Sequence, residues 1–290
     1  MNIFNEIKQQ YTMGGVTEKL IYWNVALFVI PYVVLGVLSL FGIDFSFSNY
    51  ISLSSNPADL LWKPWSILSY AFFHIGFLHI IFNLIILHFV GRFFLTFFIQ
   101  KQLLSLYLLG GIFAGFIYIL SYLLFPALIN KNAELVGASG AVMTIMFGVA
   151  TYAPHMQVRL PLIGNIKLWH IAMFYLIIDL ISLSTANTGG HIAHLGGALF
   201  GFLFSSQLKK GNDITKWFSG FLDYCINLFS AKKTTPFRKV HKNESYSKPK
   251  PVVKDKSQQQ IDEILDKISK SGYESLTKEE KEFLFKSGKE

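Results

Sequence analysis

The sequence is poor in cysteine and in charge. Its single cysteine, Cys225, excludes an internal disulfide bond and a zinc site built from cysteines. Charged residues make up only 15% of the 290 residues, whereas 52% are hydrophobic and the mean hydropathy is positive. These values are unlike those of most soluble domains, and they indicate a polytopic membrane protein.

Acidic residues are also scarce, with 18 Asp and Glu against 26 Lys and Arg, so the net charge is +8. Charges are sparse up to about residue 207, and the remainder of the chain carries most of the Lys and Arg. A basic tail suits the anionic cytoplasmic leaflet of a membrane, so we expect no nucleic-acid partner. The first twenty residues are polar and the first apolar run is full-length, so we expect no cleavable signal peptide.

Six apolar segments are candidates for membrane-spanning helices, since about 20 residues at ~1.5 Å each cross ~30 Å of hydrocarbon. The predicted spans are residues 20–41, 76–94, 103–125, 139–153, 168–183 and 191–208. If the N-terminus is cytoplasmic, most flanking Lys and Arg residues lie inside and only Lys63 and Lys131 lie outside. This asymmetry predicts that both termini are cytoplasmic, in a multi-pass protein of the cell membrane.

The chain is predicted to be an all-α membrane protein with a cytoplasmic C-terminal tail. Its predicted regions are a cytoplasmic N-terminal segment (1–19), a six-helix membrane domain (20–208), an amphipathic interfacial helix (209–230), a flexible linker (231–256) and a small helical element (257–290). In the last region Thr277 and Glu280 have the spacing of a capping box. The partner of this tail is unknown.

Gly137-Ala138-Ser139-Gly140 opens the fourth span with a serine whose small neighbours leave its hydroxyl uncovered. In membrane helices such small residues usually serve close helix packing, which is the alternative interpretation. The predicted orientation, however, places Ser139, His194, His79 and Asn83 at one depth, because spans two, four and six all run inward from the outer face. Unpaired polar groups in a membrane are costly, so this set indicates a functional site.

These side chains have the chemistry of a serine hydrolase. His194 is the candidate base for the hydroxyl of Ser139. His79 and Asn83 lie one helical turn apart on one face, and with the backbone N–H of Ser139 they are candidate oxyanion donors. Asp179 in span five would lie nearer the outer face and could approach the site, but it is expected to serve helix packing or loop capping. This leaves a Ser–His dyad as the economical mechanism.

The pattern resembles the rhomboid intramembrane serine proteases over about residues 20–208. The matching motifs are His74-x4-His79-x3-Asn83, Gly137-Ala138-Ser139-Gly140 and Ala193-His194-Leu195-Gly196-Gly197-x3-Gly201. The resemblance implies a six-transmembrane-helix rhomboid bundle with a cavity open to the outside and a Ser139–His194 dyad. It also implies hydrolysis of peptide bonds in or near transmembrane segments of membrane proteins, embedded in the lipid bilayer, with no metal or organic cofactor.

Further residues are expected to support the site: His74, Gly137, Gly140, Gly197, Gly201 and His191. The glycines let the sixth span approach the fourth. His191 is weighed against His194 as the base, but the family's glycines three and seven residues later fit only His194. Three positions depart from the family pattern, namely Ser66 after Trp65, Met143 and Leu95.

Two non-enzymatic alternatives remain at this stage. One is a catalytically inactive rhomboid-like protein that binds membrane proteins or serves quality control. The other is a haem or metal carrier that uses His79 and His194 as ligands, which leaves Asn83 and the glycine–serine motif unexplained. Three further histidines, His88, His155 and His170, are expected to be structural.

Overall fold

A computed structural model describes residues 2–160, 164–184, 187–229 and 256–288. These residues are predominantly helical, and the helices are α1 (Ile3–Met13), α2 (Val16–Leu40), α3 (Ser48–Ile51), α4 (Ser66–Ser69), α5 (Phe77–Phe94), α6 (Gln100–Leu124), α7 (Ser139–Tyr152), α8 (Leu168–Ile181), α9 (Thr188–Lys209), α10 (Lys216–Phe229), α11 (Lys256–Ser271) and α12 (Lys278–Ser287). The short strands are β1 (Leu53–Ser54), β2 (Glu134–Leu135), β3 (Gln157–Leu160) and β4 (Gly164–Lys167). The chain divides into two compact units, Met1–Ala231 and Lys232–Glu290.

In the described part of the chain, three helices, α2, α5 and α6, are long and apolar enough to cross a membrane by length and composition. Helices α7 and α8 are apolar but shorter. The apolar surface of α2 is mostly exposed, and its buried residues are Thr17, Leu20 and Asn24. Such exposed apolar surface is what a helix presents to lipid, so the first unit is a membrane protein.

Helix α7 lies at the centre of the first unit, between α5, α6, α8 and α9. Every residue from Gly140 to Ala150 is buried. The closest packing is against α9, where a Cβ atom at Gly197 would overlap the carbonyl oxygen of Gly140, and one at Gly201 would overlap that of Thr144. The expectation that these glycines permit close approach of the two helices therefore agrees with the structure.

Two short strand pairs shape the connections between the helices. Strands β1 and β2 pair antiparallel, with Leu53 opposite Leu135, and so join the loop after α2 to the segment that precedes Ser139. Strands β3 and β4 form a hairpin between α7 and α8, with Val158 opposite Ile166. The sequence predicted an all-α protein, and β3 and β4 were not expected because each holds only four residues.

Helix α10 occupies the stretch predicted to be an amphipathic helix. One face packs on α6, where the hydroxyls of Ser105 and Ser219 lie 2.8 Å apart and Lys101 pairs with Asp223 at 2.7 Å. Large apolar side chains such as Trp217 point outward. The placement of this helix at a membrane surface stays a prediction.

The second unit contains α11 and α12. The backbone N–H of Glu280 donates to Oγ1 of Thr277, and the backbone N–H of Thr277 donates to Oε2 of Glu280, which forms the predicted capping box. Lys267 of α11 also pairs with Glu280, at 2.8 Å, so the cap joins the two helices. The predicted linker, residues 231–256, lies outside the described residues except for Lys256.

Candidate active site

Ser139 is the first residue of α7, and the turn before it is held tightly. Gly137 has a φ of +139°, a conformation that residues with a Cβ rarely adopt. Its N–H donates to the carbonyl of Tyr70 at 2.9 Å, while the Tyr70 hydroxyl donates to the carbonyl of Gly111 at 2.6 Å. Gly140 follows the serine, and a Cβ there would lie only 2.8 Å from the Cβ of Ala114 on α6. Small residues are therefore required on both sides of the hydroxyl.

The structure brings Ser139 and His194 into contact. Nε2 of His194 lies 2.7 Å from Oγ of Ser139, although 55 residues separate them along the chain. The His194 side chain is 25% exposed, so it is neither sealed in the core nor free in solvent. A serine hydroxyl at this distance from an imidazole nitrogen has the geometry of a nucleophile beside its base.

The position of Asp179 differs from the expected role in helix packing or loop capping. Its Oδ1 atom lies 2.9 Å from Nδ1 of His194 and 2.8 Å from Nδ1 of His191, and its side chain is only 6% exposed. Hydropathy places Asp179 at the correct depth but does not reveal the direction that its side chain takes from α8. An acid is thus positioned beside the histidine, where none was expected.

His79 and Asn83 project from the first turns of α5 toward the serine. A Cβ at Gly137 would lie 2.9 Å from Nε2 of His79 and 3.7 Å from Oγ of Ser139, so the imidazole borders the space beside the hydroxyl. Nδ2 of Asn83 donates to the carbonyl of His79 at 2.9 Å, which uses one of its two amide protons. Both residues line the same cavity as Ser139.

His74 lies beside His79 and the backbone that precedes Ser139. It is 4% exposed, its ring centroid lies 5.1 Å from that of His79, and its Nε2 accepts from the N–H of Ala138 at 3.5 Å. The described residues supply no partner for its buried Nδ1. His74 therefore contacts both the candidate oxyanion donor and the backbone just before the serine. Its supporting role stays a prediction.

A cavity of about 460 Å³ opens beside Ser139. Its walls come from α5, α7, α8 and the start of α9, and they include Phe82, Met146 and Tyr175. Its polar lining includes His79, Asn83, Ser139 and His194. An apolar cavity with a few convergent polar groups is typical of a ligand or substrate site.

Asp179, His191 and His194 are also a set of possible metal ligands, since their donor atoms all lie within 4.8 Å of one another. Both histidine Nδ1 atoms already lie at hydrogen-bond distance from one carboxylate oxygen. The arrangement is therefore that of a hydrogen-bonded cluster. The expectation of a site without metal or cofactor stays a prediction.

Comparison with known proteins gives the family. The Rhomboid domain family model matches residues 61–210, more than half of the chain and all of the site described above. This chain belongs to the rhomboid family. A second family model, of unknown function (DUF6576), matches residues 252–287 of this rhomboid, the region of α11 and α12.

Two relatives of this rhomboid illustrate how far the similarity extends. It is 31% identical over 151 residues to presenilin-associated rhomboid-like protein A, mitochondrial, of Danio rerio, which covers 51% of this chain and 38% of the relative. It is 28% identical over 162 residues to presenilin-associated rhomboid-like protein, mitochondrial, of Homo sapiens, covering 52% of this chain and 39% of the relative. The chain thus spans about two fifths of the length of the curated relatives that it matches.

The three departures from the rhomboid pattern have visible surroundings. Met143 is buried and lines the cavity, and Leu95 ends α5 against the apolar core. Ser66 is fully buried, and in the described part of the chain its hydroxyl has no partner. The loop around it is held instead by Trp65, whose indole N–H donates to the carbonyl of Tyr50 at 2.8 Å.

Proposed function

We propose that this rhomboid is an intramembrane serine endopeptidase that hydrolyses peptide bonds in or near transmembrane segments of other membrane proteins. The observation that carries the proposal is the 2.7 Å contact between Oγ of Ser139 and Nε2 of His194 at the wall of an apolar cavity. Family membership alone does not establish activity, because function resides in the site rather than the fold.

In the first step, Nε2 of His194 takes the hydroxyl proton of Ser139 as Oγ bonds to the scissile carbonyl carbon. The carbonyl oxygen becomes an oxyanion. His194 then gives the proton to the leaving amide nitrogen, the C–N bond breaks, and an ester to Ser139 remains. Water, deprotonated by His194, attacks the ester, and the proton returns to Oγ as the acid product leaves.

The oxyanion is stabilised by donors around the cavity: the His79 imidazole, the second amide proton of Asn83 and the backbone N–H of Ser139. The last of these is not used within α7, because the first N–H groups of a helix have no partner within that helix. Removing one such donor typically raises the barrier by about 2.7 to 4 kcal/mol.

The site lies below the membrane surface in this proposal. Helix α7 has 14 residues, which at ~1.5 Å each span ~21 Å of a hydrocarbon layer of ~30 Å. A helix enclosed by other helices does not need to cross on its own, and α7 is buried along most of its length. We count α2, α5, α6, α7, α8 and α9 as the six membrane helices.

The flanking Lys and Arg residues support an orientation with both termini in the cytoplasm and the cavity open to the opposite side. The cell membrane fits this orientation. The relatives compared above are named mitochondrial, which is a statement about those proteins. Localising the full-length protein by fractionation decides between the two membranes.

A substrate helix must unwind so that an extended segment of its backbone reaches Ser139. Substrates with small or helix-breaking residues near the cut are therefore expected to be cleaved faster. The apolar wall formed by Phe82 of α5 and Tyr175 of α8 supports lateral entry of the substrate from the bilayer.

The test is cleavage of a reporter transmembrane protein in liposomes by wild type, Ser139→Ala and His194→Ala. A matched control is His155→Ala, since His155 is exposed in the turn before β3. We expect wild type and the control to cleave and to be labelled at Ser139 by a fluorophosphonate, and both site variants to do neither. Binding of the reporter without cleavage by any of the four proteins would instead identify an inactive rhomboid-like binding protein.

A further inference from the structure

Among the described residues, the carboxylate of Asp179 is the one acidic group that contacts the proposed base. We propose that Asp179 is a positioning residue that fixes the tautomer and ring orientation of His194, and that His191 holds Asp179 in place. The proposal rests on the proposed function, and it replaces a Ser–His dyad with a Ser139–His194–Asp179 triad supported by a second histidine.

The tautomer follows from counting donors and acceptors. An ionised carboxylate can only accept, so at 2.9 Å from Oδ1 of Asp179 the Nδ1 atom of His194 must carry the proton. Neutral imidazole has one proton, and Nε2 therefore presents its lone pair. Nε2 is the atom that lies 2.7 Å from the Ser139 hydroxyl, so the carboxylate selects the form of His194 that is able to take the serine proton.

The same contact also stabilises the protonated, positively charged form of His194. When His194 holds the serine proton it becomes an imidazolium, and a carboxylate 2.9 Å from Nδ1 stabilises that charge. The side chain of Asp179 is 6% exposed, so the interaction is only weakly screened by water. Asp179 thus acts through His194 and does not need to touch the substrate.

His191 explains how the carboxylate keeps its direction. His191 and His194 lie three residues apart and therefore on one face of α9, where both present Nδ1 to the same oxygen atom of Asp179. The His191 contact is 2.8 Å long. Two donors from one helix leave the Asp179 side chain little freedom to rotate.

A purely structural role, a link between α8 and α9, is the competing explanation. The bond from His191 alone would supply that link and would satisfy the buried carboxylate. The second bond goes to the side chain that also contacts the nucleophile. A structural link predicts a change in stability, whereas a positioning residue predicts a change in the pH dependence of the reaction.

Several other titratable groups lie around His194 and must be considered when the pH dependence of the reaction is measured. They are His191 on α9, His79 on α5, Tyr175 on α8 and Glu134 in the segment before α7, all beside the cavity or the cluster. A substitution at Asp179 removes the carboxylate from both His194 and His191 and changes no other residue of this set.

The experiment measures the pH profile of reporter cleavage by full-length wild type, Asp179→Asn and Asp223→Asn. Asp223 is the matched control, since its exposed carboxylate pairs with Lys101 outside the cavity. For Asp179→Asn we expect a maximal rate about 10- to 100-fold lower. We also expect the acidic limb of the pH profile to be displaced, because His194 has lost the carboxylate beside its Nδ1. The control should match wild type.

A wild-type profile for Asp179→Asn would overturn the proposal. A slower variant whose acidic limb is not displaced and whose melting temperature is lower would also overturn it, in favour of the structural link.

A second measurement does not depend on activity. The low-field imidazole N–H resonance of a histidine bonded to a carboxylate is recorded by NMR in a His191→Gln background. In that background His194 is the one histidine of the described residues that contacts a carboxylate. We expect the resonance in the His191→Gln protein and also when Ser139→Ala is added to it. We expect the resonance to disappear when Asp179→Asn is added instead. If wild type cleaves nothing, the proposed protease function fails, while this spectrum still decides the Asp179–His194 contact. Its absence in the background protein would refute that contact.

Discussion

Replacing Gly197 by alanine tests whether close approach of α9 to α7 assembles the site. The new Cβ would lie 2.9 Å from the carbonyl carbon of Gly140 and would overlap its oxygen. Ordinary carbon–carbon contacts are about 3.5 to 4.0 Å, so the helices must separate by roughly 1 Å. The clash is with backbone rather than a flexible side chain, and a change of rotamer cannot relieve it.

Gly197 lies one turn after His194, and Gly140 follows Ser139, so this separation acts directly on the pair. The 2.7 Å contact between Nε2 and Oγ would lengthen to roughly 3.7 Å, beyond hydrogen-bond distance. A misplacement of about 1 Å typically costs on the order of 100-fold in rate, and overpacking costs about 1 to 3 kcal/mol of stability.

The assay is the initial rate of reporter cleavage in liposomes, with the melting temperature measured in parallel. The matched control is Gly36→Ala in α2, where a Cβ meets nothing within 4 Å. We expect the control to keep the wild-type rate and Gly197→Ala to lose about 100-fold while it stays folded at the assay temperature. A wild-type rate for Gly197→Ala would show that the spacing of α7 and α9 does not set the geometry of the pair.

Two further predictions concern the oxyanion donor and the second unit. His79→Ala should lower kcat by on the order of 100-fold with little change in KM, because the donor is used mainly in the transition state; an unchanged kcat would remove His79 from that role. The hydrogen bond from Lys267 lowers the pKa of Glu280 below its usual value of 4.5, and the bond from the Thr277 N–H adds a smaller lowering. The stability that Glu280 contributes is therefore present above that value and is lost as the pH falls through the lower folded pKa. The assay is hydrogen exchange of the α12 amides, corrected for intrinsic exchange rates. We expect protection to fall below pH ~4.5 in wild type and not in Glu280→Gln, whose side chain cannot ionise. Equal pH dependence in both proteins would contradict this prediction.

The amino-acid sequence by itself determined the helical character, the order of the apolar segments and the polar residues that interrupt them. Sequence patterns within one short segment were sufficient to predict features that depend on that segment alone. The capping box of Thr277 and Glu280 is such a case, and so is the start of α7 at Ser139. Hydropathy also located the start of α5 to within one residue, because long apolar runs have few alternative structures.

Tertiary structure alone decided which polar side chains meet. The sequence analysis placed Asp179 near the depth of His194 but assigned it to packing, since depth along a helix says nothing about rotation around its axis. In helices that are apolar on all sides, the pattern of polar residues gives little information on that rotation. It is set by packing of whole surfaces, here the glycine contacts between α7 and α9, and these contacts join residues that lie far apart in the chain.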